Sequence, residues 1–108
     1  MPPEVLGGFE HQVLLAVLRL GSEAYTVPLV LELEARTRRA VSPSKAWVSL
    51  RRLEARGLLT SRLVPPPPDE GGRDRRVFTL TERGLELLRE SKRVFVDLWE
   101  GLPVLDES

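Results

Sequence analysis

The chain has no cysteine, one histidine, one methionine and one tyrosine among its 108 residues. The missing thiols exclude disulfides, thiolate metal sites and cysteine nucleophiles, and make a reducing, cytoplasmic setting the natural one. The single histidine, His11, sits in an apolar helical context with no carboxylate cluster beside it, so no metal site and no cofactor is expected. No apolar run approaches the ~18 residues that span a bilayer, so no membrane partner is expected. The start, "MPPEVLGGFE", lacks the basic residues and apolar block of a signal peptide. Also missing are a glycine-rich phosphate loop, a serine triad and a pair of facing acids. An enzyme is therefore not expected.

Net charge is missing too: 16 basic residues balance 16 acidic ones. The balance hides a segregation. Residues 1–35 hold one basic and five acidic residues, whereas residues 36–62 hold eight basic residues and a single acid, Glu54. Residues 77–108 turn acidic again, with four basic and seven acidic. Such blocks imply one positive face on an otherwise negative surface.

Along the chain, "GGFEHQVLLAVLRLG" reads as a helix stopped by Gly21. Its apolar residues Phe9, Val13, Leu14, Val17, Leu18 and Leu20 cover more than one face and predict a largely buried helix. Thr26 is placed as the cap of a second helix running to about Arg38, with Leu29, Val30 and Leu33 inward. Ser42-Pro43 is a strong helix start, and Gly57 a stop for the helix that ends near Arg56. "LLTSRLV" and "RRVFTL" read as strands of a hairpin across the turn-rich loop "PPPPDEGGRD". Thr81 caps a last helix that reaches Gly101–Pro103. The fold class is mainly α with a small β-hairpin. Three helices followed by a hairpin give a winged helix-turn-helix over residues 1–80, and residues 81–108 form a C-terminal dimerisation helix, the two making one compact unit.

On the third helix, Lys45, Ser49, Arg52 and Arg56 share one line, while Ala46, Leu50 and Leu53 form a separate apolar stripe with Trp47 at its edge. Val48 and Arg51 flank the basic line. The second helix of such a unit enters the DNA major groove, where lysine and arginine read guanine or bind phosphate and a small apolar group meets a thymine methyl. Ser42 and Ser44 at the helix start suit a phosphate. Arg73, Arg75 and Arg76 leave the hairpin loop where a wing would touch the DNA backbone, with Asp69 and Glu70 at a tip expected to point away. The expected partner is double-stranded DNA. The competing class is a winged helix that has lost DNA binding and uses its helices for protein partners.

The last helix repeats apolar residues at intervals of seven: Leu88, Phe95 and Leu102; Leu87 and Val94; with Leu98 following Ser91. Its apolar face widens at "VFVDLW", too wide for one small domain to cover. A homodimer with Leu87, Leu88, Val94, Phe95, Leu98, Trp99 and Leu102 at the interface is expected, reading a palindromic operator whose half-sites lie ~34 Å or a multiple apart. Phe95, Leu98 and Trp99 near the two-fold axis would form a slot for a flat hydrophobic effector.

Three blocks in order, "FEHQVLLAVLRLGSEAYTVPL", "VSPSKAWVSLRRLEARGLL" and "GGRDRRVFTLTERG", resemble the signatures of the PadR family of bacterial transcriptional regulators. The resemblance runs from about Leu6 to Trp99. It implies a winged-helix fold, dimerisation through the C-terminal helix, and operator binding, usually as a repressor that responds to small aromatic or hydrophobic compounds. The length matches the short subfamily with a single C-terminal helix. The chain departs from the family pattern at Trp47, where tyrosine is usual, at Ala46, at Thr26, and at Val77 and Phe78, which replace two tyrosines.

Overall fold

The element boundaries follow from local caps. The computed structural model describes residues 7–105; the first six residues of the stretch read for a leader and the last three residues of the C-terminal unit lie outside them. Helix α1 (Gly8–Leu20) opens with the Glu10 carboxylate accepting the Gly7 N–H at 3.2 Å. A 3-10 turn (Gly21–Glu23) leads to α2 (Thr26–Thr37). Helix α3 (Pro43–Ala55) starts at Ser42, whose Oγ accepts the Lys45 N–H at 3.3 Å, with Pro43 in the first turn, as the sequence predicts. Gly57 follows it in the left-handed region (φ 78°), where a side chain would be strained, and this stops the helix. Strands β1 (Leu59–Val64) and β2 (Arg75–Leu80) pair antiparallel from Leu59↔Leu80 to Val64↔Arg75. Helix α4 (Glu82–Trp99) and a 3-10 turn (Pro103–Leu105) complete the chain.

Two expectations change here. Thr26 is not the cap of α2. Tyr25 holds the extended cap position without a side-chain bond, and Thr26 is the first helical residue. Helix α1 is not buried all round. Val13, Leu14, Ala16 and Val17 are buried on one side, whereas Leu18, expected inward, is exposed together with Leu15. The side of α1 that meets α4 stays open, with Leu15 and Leu18 on it.

One core joins all elements. Leu14, Leu29, Leu50, Leu53, Leu58, Leu59 and Phe78 are its largest fully buried side chains, and Leu88 of α4 belongs to it. The Phe78 N–H donates to the Ala24 carbonyl at 2.9 Å, tying β2 to the turn before α2.

The start of α4 is fixed to the end of α3. Thr81 accepts the Gly84 N–H at 3.1 Å and donates through Oγ1 to the Gly57 carbonyl at 2.7 Å. A Cβ on Gly84 would lie 2.4 Å from the Leu58 carbonyl oxygen, a backbone atom. Gly84→Ala therefore forces α4 off the hairpin. It is expected to destabilise the protein by about 1–3 kcal/mol, read as a lowered melting temperature; an unchanged melting curve would refute the close approach.

Candidate nucleic-acid interface

Helix α3 is seated by Ala46, Leu50 and Leu53, all fully buried. The direction opposite these three holds Ser44, Val48, Arg51, Arg52 and Ala55, all exposed. The Lys45–Ser49–Arg56 line lies to one side of that direction, against the N-terminal end of α1. Lys45 Nζ sits 4.4 Å from the centre of the Phe9 ring, Ser49 is half-buried, and Arg56 Nη1 pairs with Glu10 Oε2 at 3.0 Å. Arg56, expected to face a polyanion, is thus engaged within the protein. Its line is shifted because α1 crosses the flank of α3, a tertiary contact that helical periodicity does not contain. Among the described residues the Arg52 side chain has no ion-pair or hydrogen-bond partner.

Trp47 has two functions at once. Its ring meets Phe78 of β2 edge-on, with centroids 6.1 Å apart and planes at 75°, so the indole anchors α3 to the hairpin. It remains 39% exposed, and the Arg51 guanidinium lies over it at 5.5 Å. The departure at Phe78 fits this arrangement: the position is fully buried beneath Trp47, and Val77 is buried beside it.

The hairpin differs from expectation. Glu70 does not point away. It folds back so that its Oε2 pairs with Arg75 Nη2 at 2.8 Å, and the Arg75 guanidinium also covers the Tyr25 ring at 4.7 Å. Arg76 donates from Nη1 to Ser61 Oγ at 3.0 Å. Of the three loop-exit arginines, Arg73 is the exposed one. Arg76 reaches Ser61 on the paired strand and Arg75 reaches back to Glu70 of the loop, whereas Arg73 precedes β2.

Periodicity did not single out a polar groove at the start of α3, lined by Gln12 of α1 and by Arg39, Ser42 and Lys45. The run Arg36, Arg38, Arg39 was the available signal. Arg36 pairs with Glu32 at 2.5 Å, while Arg38 holds a left-handed backbone (φ 58°) at the end of α2. Arg39 is exposed.

On the far side of the molecule, α1 and α4 enclose an apolar groove of about 950 Å³. Phe95 and Trp99 line it, as do Leu15, Leu18 and Val96, which the heptad pattern missed. Leu98 does not line it and stays 63% exposed on another side of α4. Val94 and Leu102 are exposed as well. Leu88, expected at a dimer interface, is instead buried in the protomer's own core, and Leu87 packs against that core. The first half of α4 is consumed by its own domain; the second half projects beyond it. His11 stacks on Phe95, with ring centroids 5.9 Å apart, and its Nε2 lies 3.4 Å from Ser91 Oγ. The outer edge of α4 is polar, with Arg93 held between Glu90 and Asp97; the hydrogen bond from Arg93 to Glu90 and the Glu90 charge raise the guanidinium pKa further.

Among the described residues, no cluster of acids and histidine is placed to hold a metal ion, and no helix is long and apolar enough to cross a membrane.

Comparison with known proteins agrees with this geometry. Residues 14–90 match the transcriptional regulator PadR-like family. A PadR-family regulator from Eggerthella lenta is 33% identical, with 86% of this chain and 79% of that chain covered and a TM-score of 0.63. A PadR-like regulator from Bacillus cereus superposes with a TM-score of 0.68 at 22% identity, over 92% of this chain and 93% of that one. PadR of Bacillus subtilis, solved in complex with operator DNA, superposes with a TM-score of 0.64 at 19% identity, over 78% of this chain and 46% of that one. No curated protein matches the sequence. A winged helix with a basic face on α3 and a projecting C-terminal helix, matched over residues 14–90, places this chain in the PadR-like family of transcriptional regulators, proteins that are not enzymes.

Proposed function

We propose that the protein is a homodimeric, sequence-specific repressor of the cytoplasm that binds a palindromic operator and is released by a small hydrophobic or aromatic effector. The observation that carries the reading is the outward face of α3. It presents Ser44, Val48 and an unpaired Arg52 on a chain of zero net charge. Trp47 and Phe78 hold that face in place. The Bacillus subtilis protein, which shares the fold, is solved in complex with operator DNA, and this supports a DNA-binding reading. The exposed second half of α4 supports the dimer, and the groove beside Phe95 and Trp99 supports an apolar effector.

Ser44, Val48 and Arg52 are assigned to the major groove, with Lys45 once it leaves the Phe9 ring, Trp47 and Ser49 to its edge, and Arg51 to a backbone phosphate beside it. Ser42 and Arg73 are assigned to phosphate, together with Arg75 and Arg76 once they leave their internal partners. Binding to a duplex from upstream of the protein's own gene, titrated against salt, tests the assignment. Affinity is expected to fall linearly on a log–log plot, by a slope of about 0.9 per phosphate neutralised. Arg52→Ala is expected to weaken binding by about 1–3 kcal/mol if it reads a base, or to flatten the slope by about one contact if it binds phosphate. Binding that ignores salt, or no binding, would favour a protein-interaction module instead.

A further inference from the structure

Residues 36–62 hold eight basic residues and one acid, and that acid is Glu54. It lies on the flank of α3 that faces the hairpin. Its Oε1 is 3.3 Å from Arg51 Nη1. Its Oε2 accepts the Ser61 hydroxyl at 2.5 Å. Ser61 Oγ in turn accepts Arg76 Nη1 at 3.0 Å. One carboxylate thus holds an arginine of the reading helix directly and an arginine of the hairpin through a single hydroxyl. The Arg51 guanidinium also lies over the Trp47 ring, 5.5 Å from its centre. Arg52, one residue along, has no such restraint.

We propose that Glu54 is the positioning residue that sets how strongly this protein binds DNA of arbitrary sequence. The proposal rests on the DNA-binding reading above. For Arg51 to take a backbone phosphate it must give up a carboxylate, so one anion replaces another and little is gained. Arg76 is restrained in the same way through Ser61. The carboxylate also repels phosphate that approaches the cleft between α3 and the hairpin. All three effects weaken attraction to the backbone, which every duplex offers equally. Contacts from Val48 and Arg52 to base edges do not pass through Glu54 and are untouched. The ratio of operator binding to non-specific binding therefore rises with the Glu54 charge in place.

Glu54→Gln tests this with little change of shape. The amide oxygen still accepts the Ser61 hydroxyl, so the link between helix and hairpin is kept while the charge is lost. Two duplexes serve as probes: the fragment upstream of the protein's own gene, and the same bases shuffled. For Glu54→Gln, affinity for the shuffled duplex is expected to rise about three- to fivefold. Its log–log salt slope should steepen by one to two phosphate contacts, at ~0.9 each. The preference for the upstream fragment should fall. Glu54→Asp, which keeps the charge, is expected to stay near the wild-type slope. A purely structural role would move the melting temperature and leave the slope alone. A Gln variant with the wild-type slope and shuffled-duplex affinity overturns the inference, as does an Asp variant as permissive as Gln. If the wild type itself shows no salt-dependent binding to either duplex, the DNA-binding reading falls and takes this inference with it; if the wild type binds and Glu54→Gln binds identically, only the inference falls.

Discussion

Phe95→Glu is expected to leave a folded monomer that no longer holds an operator. Phe95 is 50% exposed in the isolated protomer, and Trp99, one turn on, is 55% exposed. Neither is among the core side chains, so the fold does not need them. A second copy would cover both, together with Val94 and Val96 on the projecting half of α4. Two glutamates brought into that contact would each lose hydration without a countercharge, a cost of several kcal/mol per ion in a dry interface. The mass in solution should fall from twice 12.2 kDa to 12.2 kDa, as read by light scattering. Operator affinity should drop by about 10²–10⁴, because the second half-site would no longer benefit from tethering to the first. Binding to a single half-site should persist, since α3 is remote from the substitution. An unchanged mass would show that α4 packs in some other way.

The second large effect is on stability. Phe78→Ala removes the largest fully buried side chain of the core. A buried phenylalanine cut to alanine costs about 3–5 kcal/mol. A domain of this length has a total stability on the order of 5–15 kcal/mol. The melting temperature should therefore fall by roughly 15–30 °C. The loss reaches function through Trp47, whose edge rests on the Phe78 ring, and so through the seat of α3. Phe78→Leu fills most of the volume and should recover much of the loss. A fall of only a few degrees for Phe78→Ala would show that the ring is not what seats the helix.

The fold was legible wherever a local rule decides it. Ser42-Pro43 starts α3, Gly57 stops it and Thr81 caps α4, because caps are satisfied within a few residues of the chain. Thr26 failed as a cap because the extended backbone falls at Tyr25, and no side-chain bond marks that site. The candidate site was legible only in part. Charge segregation located the basic face, and Arg52 lies where periodicity places it. Periodicity gave the direction of each α3 side chain but not its neighbour.

Four groups of residues show the difference. Lys45 and Arg56 were placed on the reading face by their angles; α1 occupies that flank and engages both. Leu88 and Phe95 are spaced by seven, yet the first is buried in the core and the second is half-exposed, covered on one side by His11 of α1. Arg75 and Arg76 were expected to reach the DNA backbone from the loop's exit, yet Glu70 of the loop and Ser61 of β1 engage them. Leu18 looked like core, yet with Leu15 it forms one wall of the groove beside α4.

The family, the element order, the apolar stripe of α3 and the location of the positive charge follow from residue types and their spacing along one chain, since capping, periodicity and charge are properties of near neighbours. Which cations are free, which half of α4 is open and how Glu54 is joined to the hairpin depend on contacts that no local rule supplies. Glu54 illustrates both. The sequence marks it as the lone acid in a basic block. That it lies one turn from Arg51 follows from helical spacing; that it reaches Arg76 through Ser61 depends on how the hairpin packs against α3, which no spacing rule contains.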